Sequence, residues 1–153
     1  MDSFEGRTAV VTGGGTGMGR ELVVQLAEQG CHVATCDIHP DDMAETRSMA
    51  AARAPSSDIR ITTHVADVAD EAAVQVFRDE MLAAHDIDHV HAVFSNAGVG
   101  GGGSFVAGDR AEWERTFEIC WGGVYAVARV FVPLLVASDE GVIINTSSVN
   151  GFW

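Results

Sequence analysis

Thr8-Ala9-Val10-Val11-Thr12-Gly13-Gly14-Gly15-Thr16-Gly17-Met18-Gly19 is the stretch that decides the fold. Thr8 to Thr12 reads as a buried strand, and Met18, Leu22, Val23, Leu26 and Ala27 then recur at helical spacing until Gly30 supplies a stop. Glycines between a strand and a helix let the backbone turn tightly and approach a pyrophosphate, which rests on the exposed amides and positive end of the helix. The spacing is Gly-x-x-x-Gly-x-Gly from Gly13 to Gly19. A tight strand-to-helix turn is the plainer reading; the strand–loop–helix context favours a dinucleotide site. Gly13, Gly15, Thr16, Gly17, Met18 and Gly19 are therefore candidate cofactor-binding residues.

A second strand, His32 to Cys36, leads to Asp37, eighteen residues beyond Gly19 and close to the offset at which a carboxylate accepts hydrogen bonds from an adenosine ribose. A carboxylate there repels a 2′-phosphate, and neither Ile38 nor His39 supplies a compensating cation, so NAD is expected in preference to NADP. Arg20, the nearby cation, is expected on the exposed face of the first helix.

Further along, Asp41 to Ala54 reads as an alanine-rich helix closed by Pro55 and Ile59 to Val65 as a third strand. Asp70 to His85 reads as a helix with Val74, Phe77 and Met81 on one face, and Val90 to Phe94 as a fourth strand. After the glycine run Gly100 to Gly103, Asp109 and Glu112 have the spacing of a capping box. The helix that follows takes Trp113, Phe117, Trp121, Val124, Ala128 and Phe131 as its apolar stripe, with a kink or stop at Pro133. Val142 to Asn145 is the fifth strand. Strands alternating with helices imply right-handed crossovers and an α/β, doubly wound parallel sheet of about five strands in a single domain over residues 1–153.

Composition excludes several other readings. Of the 153 residues 47% are hydrophobic and 20% charged, which suits one globular domain and not a disordered or fibrous chain. Twenty-two acidic residues against nine basic ones give a formal charge of −13, unfavourable for nucleic acid or an anionic membrane surface. Cys31, Cys36 and Cys120 are odd in number and form no Cys-x-x-Cys pair, so reduced thiols are expected. The apolar run from Val124 to Val136 is interrupted by Arg129 and reads as too short to span a bilayer; with no leader pattern at the N-terminus, a cytoplasmic location is expected. His85, His89 and His91 with Asp86 and Asp88 read as a solvated connection and not as a metal site.

Three segments, the glycine loop among them, resemble the classical short-chain dehydrogenase/reductase family. Thr12 to Gly19 is similar to that family's Thr-Gly-x-x-x-Gly-x-Gly motif, Asp67-Val68 to its adenine-contacting Asp-Val pair, and Ser95-Asn96-Ala97-Gly98 to its Asn-Asn-Ala-Gly segment with the first Asn replaced by Ser. The resemblance covers essentially the whole chain and implies a Rossmann-type fold. It also implies that Asp67, Val68, Asn96, Ala97 and Gly98 line the adenosine side and that Asn96 steadies the central sheet. Asn145-Thr146-Ser147-Ser148-Val149 is similar to the family's Asn-x-Ser-Ser stretch, whose second serine, Ser148 here, holds the substrate carbonyl or hydroxyl; Ser147 is the neighbouring alternative. The implied reaction is hydride transfer between NAD and a secondary alcohol or ketone, carried out by a homo-oligomer at full length.

Two departures qualify it. Cys120 stands where the family has a catalytic asparagine; it lacks an amide's hydrogen bonding and reads as a small buried apolar residue. The family's Tyr-x-x-x-Lys pair, the general acid/base and the lysine that lowers its pKa, is absent: the 153 residues hold no lysine and one tyrosine, Tyr125. Tyr125 and Arg129 share the four-residue spacing but sit on the helix before the fifth strand, where packing and a solvated arginine are expected. The sequence thus resembles the N-terminal part of a longer family member, ending before the last strands and helices, with an apolar fifth strand left at an edge. Residues 1–153 alone then read as a nucleotide-binding module without catalysis, or as a structural remnant.

Overall fold

The computed structural model describes residues 3–101, 103–104 and 106–148. Gly102 of the glycine run and Val149 of the serine segment lie outside the described residues. Strands β1 (Thr8–Thr12), β2 (His32–Asp37), β3 (Ile61–Val65), β4 (Ala92–Ser95) and β5 (Val142–Asn145) alternate with helices α1 (Gly17–Glu28), α2 (Pro40–Arg53), α3 (Glu71–His85), α4 (Arg110–Phe117) and α5 (Gly123–Val136). A π-turn, Glu118–Gly122, joins the last two helices. All strands are parallel in the order β3-β2-β1-β4-β5, the Rossmann-type doubly wound arrangement expected. The order reverses between β1 and β4, and that reversal opens a crevice at the carboxyl ends of the strands.

Alternation along the strands divides the core between the two faces. Ala9, Val11, Val33 and Ile61 pack with Val23, Val24, Ala27 and Ala50 of α1 and α2, while Val10, Ala34, Cys36 and Val93 face Val74, Phe77 and Met81 of α3 and Val127, Val130 and Phe131 of α5. Burial of both faces is why β1 reads as a continuous apolar run, with all five residues buried. Helix starts follow local chemistry. Pro40 stands at the first turn of α2, and the carboxylates of Asp70 and Asp109 accept from the Ala72 and Ala111 amides at 2.9 and 3.0 Å.

The helix before β5 departs from expectation. Its buried face is Ile119, Gly123, Ala126, Val127, Val130, Phe131 and Leu135, whereas Phe117 and Trp121 are 64% and 63% exposed. Small residues set this face: a Cβ on Gly123 would stand 2.7 Å from Val68 Cγ2, so the helix seats closely only with glycine there. The π-turn adds a residue to one turn and rotates the face that follows it. Pro133 neither stops nor breaks the helix, which continues to Val136. The apolar run is part of one continuous helical stretch of 27 residues, Arg110–Val136, whose most apolar 18-residue window has a mean hydropathy of 1.8, long and apolar enough by length and composition alone to cross a membrane. Its buried side packs on α3, β4 and β5, the placement of a core helix.

The histidine group at the α3–β4 connection is also corrected. His85 is 1% exposed, with Nε2 2.9 Å from the Thr62 hydroxyl, and His91 Nδ1 accepts from the Thr8 amide at 3.1 Å; His89 is half-buried, its ring edge-on to His91 at 5.0 Å. Among the described residues no group of three or more metal-ligating side chains comes together.

Candidate dinucleotide-binding site

At the carboxyl ends of β1, β2 and β4 lies a cleft of about 440 Å³. Gly13, Thr16, Gly17, Met18 and Gly19 form one wall, Asp37 with Ile38 and His39 a second, and Ala66, Asp67 and Val68 a third. Asn96, Ala97, Gly98 and Val99 close it from β4, with Arg115 and Ile119 reaching in from the helix beyond.

The glycine loop is shaped by contacts no side chain could tolerate. Gly13 has φ +69° and a Cβ on it would stand 2.8 Å from the Ala97 backbone; Gly17 has φ +55°; a Cβ on Gly19 would collide with the Gly13 carbonyl and the Asn96 amide. The Gly13 and Gly14 amides donate to the Cys36 carbonyl at 2.8 and 3.2 Å, tying the loop to β2. Thr16 caps α1 in extended conformation without a side-chain hydrogen bond, and no acidic residue occupies the first turn. The first-turn amides and the positive helix end therefore face the cleft without an internal anion, an environment that fits a pyrophosphate.

Asn96 links the ends of β1 and β4. Its side-chain amide donates to the Thr12 carbonyl at 3.2 Å, and the backbone amides of Asn96 and Ala97 both donate to the Thr12 hydroxyl at 3.1 Å. The Thr146 hydroxyl donates to Asn96 Oδ1 at 3.4 Å, so the segment after β5 is tied to the same point. This double role, sheet fastener and cleft wall, accounts for an asparagine at a strand end better than a turn role alone.

Asp37 projects from the end of β2 with its two carboxylate oxygens held: Oδ2 accepts the Gly15 amide at 3.0 Å and Oδ1 the His39 amide at 3.2 Å. Of the twelve expected cofactor residues, eleven line the cleft. Gly15 does not; it sits behind Asp37, where a Cβ would come within 2.9 Å of Asp37 Oδ2. Ser148 is exposed and is not part of the cleft wall.

Several placements differ from expectation. The Arg20 side chain is only 20% exposed and turns inward, donating from Nε to the Gly15 carbonyl at 2.9 Å. Periodicity could not reveal this, because its partners come from the loop and from α2. Cys120 is exposed, 3.5 Å from the Val99 carbonyl, because the π-turn holds it away from the packed face. Tyr125 is 51% exposed and stacks on Trp121, ring centroids 5.8 Å apart, while Arg129 pairs with Glu71; neither lines the cleft. Burial pushes the Cys36 and Cys31 thiols up to about 12, leaving both unreactive. Ile38, His39, Ala66, Val99, Arg115 and Ile119 are cleft residues with no sequence signal beyond adjacency to a motif or, for the last two, a helix turn whose direction only packing sets.

A doubly wound sheet with a glycine-rich first loop, an acidic residue ending the second strand and a cleft at the strand reversal defines a dinucleotide-binding α/β protein. Residues 7–153 match the short chain dehydrogenase family, and the chain belongs to it. It is 34% identical over 151 residues to the "Putative oxidoreductase SadH" of Mycobacterium tuberculosis, covering 99% of this chain and 52% of that protein. It also superposes on a short chain dehydrogenase/reductase from Burkholderia phymatum in complex with NAD, with a TM-score of 0.89 and 32% identity, covering 100% of this chain and 53% of the other. A metagenomic short-chain oxidoreductase in complex with NADP gives a TM-score of 0.84 and 28% identity, covering 97% of this chain and 65% of the other. The chain spans about half the length of the first two.

Proposed function

We propose that these residues form the dinucleotide-binding part of an NAD-dependent oxidoreductase that exchanges a hydride between the nicotinamide and a secondary alcohol or ketone. The observation that carries it is Asp37, a carboxylate fixed by two backbone amides at the edge of the cleft, where it can accept hydrogen bonds from ribose hydroxyls and repel a 2′-phosphate. Gly13 to Gly19 would hold the pyrophosphate, Asp67 and Val68 the adenine, and Asn96, Ala97 and Gly98 the adenosine side. Gly15 would act from behind, through Asp37. Ser148 would orient the substrate oxygen, and the cofactor would supply the hydride. A homo-oligomer is supported by the exposed row of Phe117, Trp121 and Tyr125, and a cytoplasmic location by the free cysteines Cys31, Cys36 and Cys120.

For residues 1–153 alone, the second reading is nucleotide binding without turnover. It is supported by the position of Tyr125 outside the cleft and the absence of lysine from the sequence. Titration of the chain with each nucleotide tests both readings. Saturable NAD binding is expected, with NADP weaker by about tenfold or more from like-charge repulsion at Asp37. The lack of any saturable NAD binding would sink the first reading, and steady conversion of NAD with an alcohol panel would overturn the second.

A further inference from the structure

Gly15 is gripped from both sides. Its amide donates to Asp37 Oδ2 at 3.0 Å, while its carbonyl accepts from Arg20 Nε at 2.9 Å and lies 3.1 Å from the Thr46 hydroxyl. Thr46 is completely buried. The far arm of Arg20 is also committed: Nη2 lies 2.8 Å from Glu45 Oε2 and donates to the Asp42 carbonyl at 3.3 Å. The loop, the end of β2 and the helix α2 thus meet at one residue with no slack, since a Cβ on Gly15 would also stand 3.2 Å from Asp42 Cβ. Arg20, Thr46 and Glu45 do not line the cleft, so whatever they do for a ligand is done through Gly15.

A carboxylate discriminates against a phosphate only if it cannot rotate away. A lone Asp side chain turns about χ1 and χ2 at small cost, and the Gly15 amide is what pins Oδ2. That amide points at Asp37 only while the carbonyl on the other side of the same residue is anchored. The guanidinium makes a charge-assisted bond to that carbonyl, the stronger kind of anchor. Because its charge is satisfied by Glu45 and two carbonyls, it is also withheld from an incoming 2′-phosphate.

We propose that Arg20 and Thr46 are positioning residues for ribose selection, locking Gly15 so that Asp37 is held where it accepts an unphosphorylated ribose. This rests on the dinucleotide reading above. The test is calorimetric titration of the chain and its Arg20→Met, Thr46→Val, Arg20→Lys and Glu45→Gln variants with NAD and, separately, with NADP. Arg20→Met and Thr46→Val are expected to weaken NAD about tenfold, the loss of one hydrogen bond to a charged or buried group, while weakening NADP little, so that the preference for NAD contracts. Arg20→Lys, which keeps a cationic donor, is expected to restore part of that preference. Glu45→Gln, at an exposed side chain that leaves the core untouched, is expected to contract it by about twofold to threefold. Equal weakening of both nucleotides, or none, in the folded variants would overturn the proposal, and Glu45→Gln keeps the test decisive if a buried substitution prevents folding. If the unaltered chain binds neither nucleotide, the dinucleotide reading has failed and the proposal with it; if it binds both and the variants leave the ratio unchanged, only the proposal has failed.

Discussion

The two edges of the sheet are built differently. Along β3 the sequence Ile61-Thr62-Thr63-His64-Val65 sets three polar residues between two apolar ones, and two of the polar ones are engaged: Thr62 bonds both His85 and His64, and His64 Nδ1 lies 2.9 Å from Glu80. Along β5 the sequence Val142-Ile143-Ile144 is uniformly apolar, with Val142 36% and Ile144 38% exposed. An edge strand carrying polar, satisfied side chains resists pairing with another chain, whereas an apolar one invites it. The composition of β5 is that of an interior strand covered on both faces. The same contrast runs through the helical stretch beside it, where Gly123, Val127 and Phe131 are packed while Phe117, Trp121 and Tyr125 are exposed. The relatives compared above are about twice as long as this chain, which matches about half of each.

The largest expected effect separates the two sides of that helix. Phe131 is fully buried against Phe77, ring centroids 5.6 Å apart, and Phe131→Ala should cost about 4 kcal/mol of unfolding free energy, whereas Trp121→Ala should cost under about 1 kcal/mol. Urea denaturation of the two variants measures both; similar costs would erase the distinction between packed and uncovered faces.

The β3 side is probed by acid. Burial, with Arg60, His32 and His64 nearby, lowers the pKa of His85 from about 6.5 to about 4. The folded protein therefore binds this proton less readily than the unfolded chain, so the stability concerned is full above pH 6.5 and is lost as the pH falls toward 4. Between pH 7 and pH 5 the loss should be about 2 kcal/mol, and His85→Gln should flatten that slope while lowering stability at pH 7. An unchanged slope in the variant would assign the acid sensitivity elsewhere; desolvation also lowers His32 and His91, in the same direction.

The smallest effect falls on β5. Ile144→Lys should change stability by under about 0.5 kcal/mol, yet it should reduce self-association seen by light scattering, because a charge on an edge opposes strand pairing. If association persists, the exposed aromatic row of Phe117, Trp121 and Tyr125 becomes the surface to alter next.

Legibility in the sequence followed how local each feature is. β1 and β5 lie within the expected residues, and β2 to β4 differ at their ends by no more than two residues, because apolar runs between turn signals are local properties. The glycine loop is legible for the same reason: at Gly13 and Gly19 a Cβ would collide with the backbone, and at Gly17 φ is +55°, so glycine suits each place. Arg20 was misplaced because the carbonyl, hydroxyl and carboxylate that draw it inward come from Gly15, Thr46 and Glu45, which its own helix does not contain. In the stripe before β5 Phe131 is buried as expected but Phe117 and Trp121 are not, because side-chain size does not set burial there: close packing on Val68 demands Gly123 on the buried face.

The sequence by itself determined the alternation of strands and helices, the glycine loop and the carboxylate that ends β2, since each depends on backbone conformations and periodicities spanning a few residues. Tertiary structure alone decided which helix face is buried, that His85 is sealed in and His89 is not, that Cys120 stands outside the packed face, and that Gly15, Asp37, Arg20 and Thr46 form one unit. Those outcomes depend on groups distant in the chain competing for the same space and the same hydrogen bonds, and only the folded molecule settles that competition.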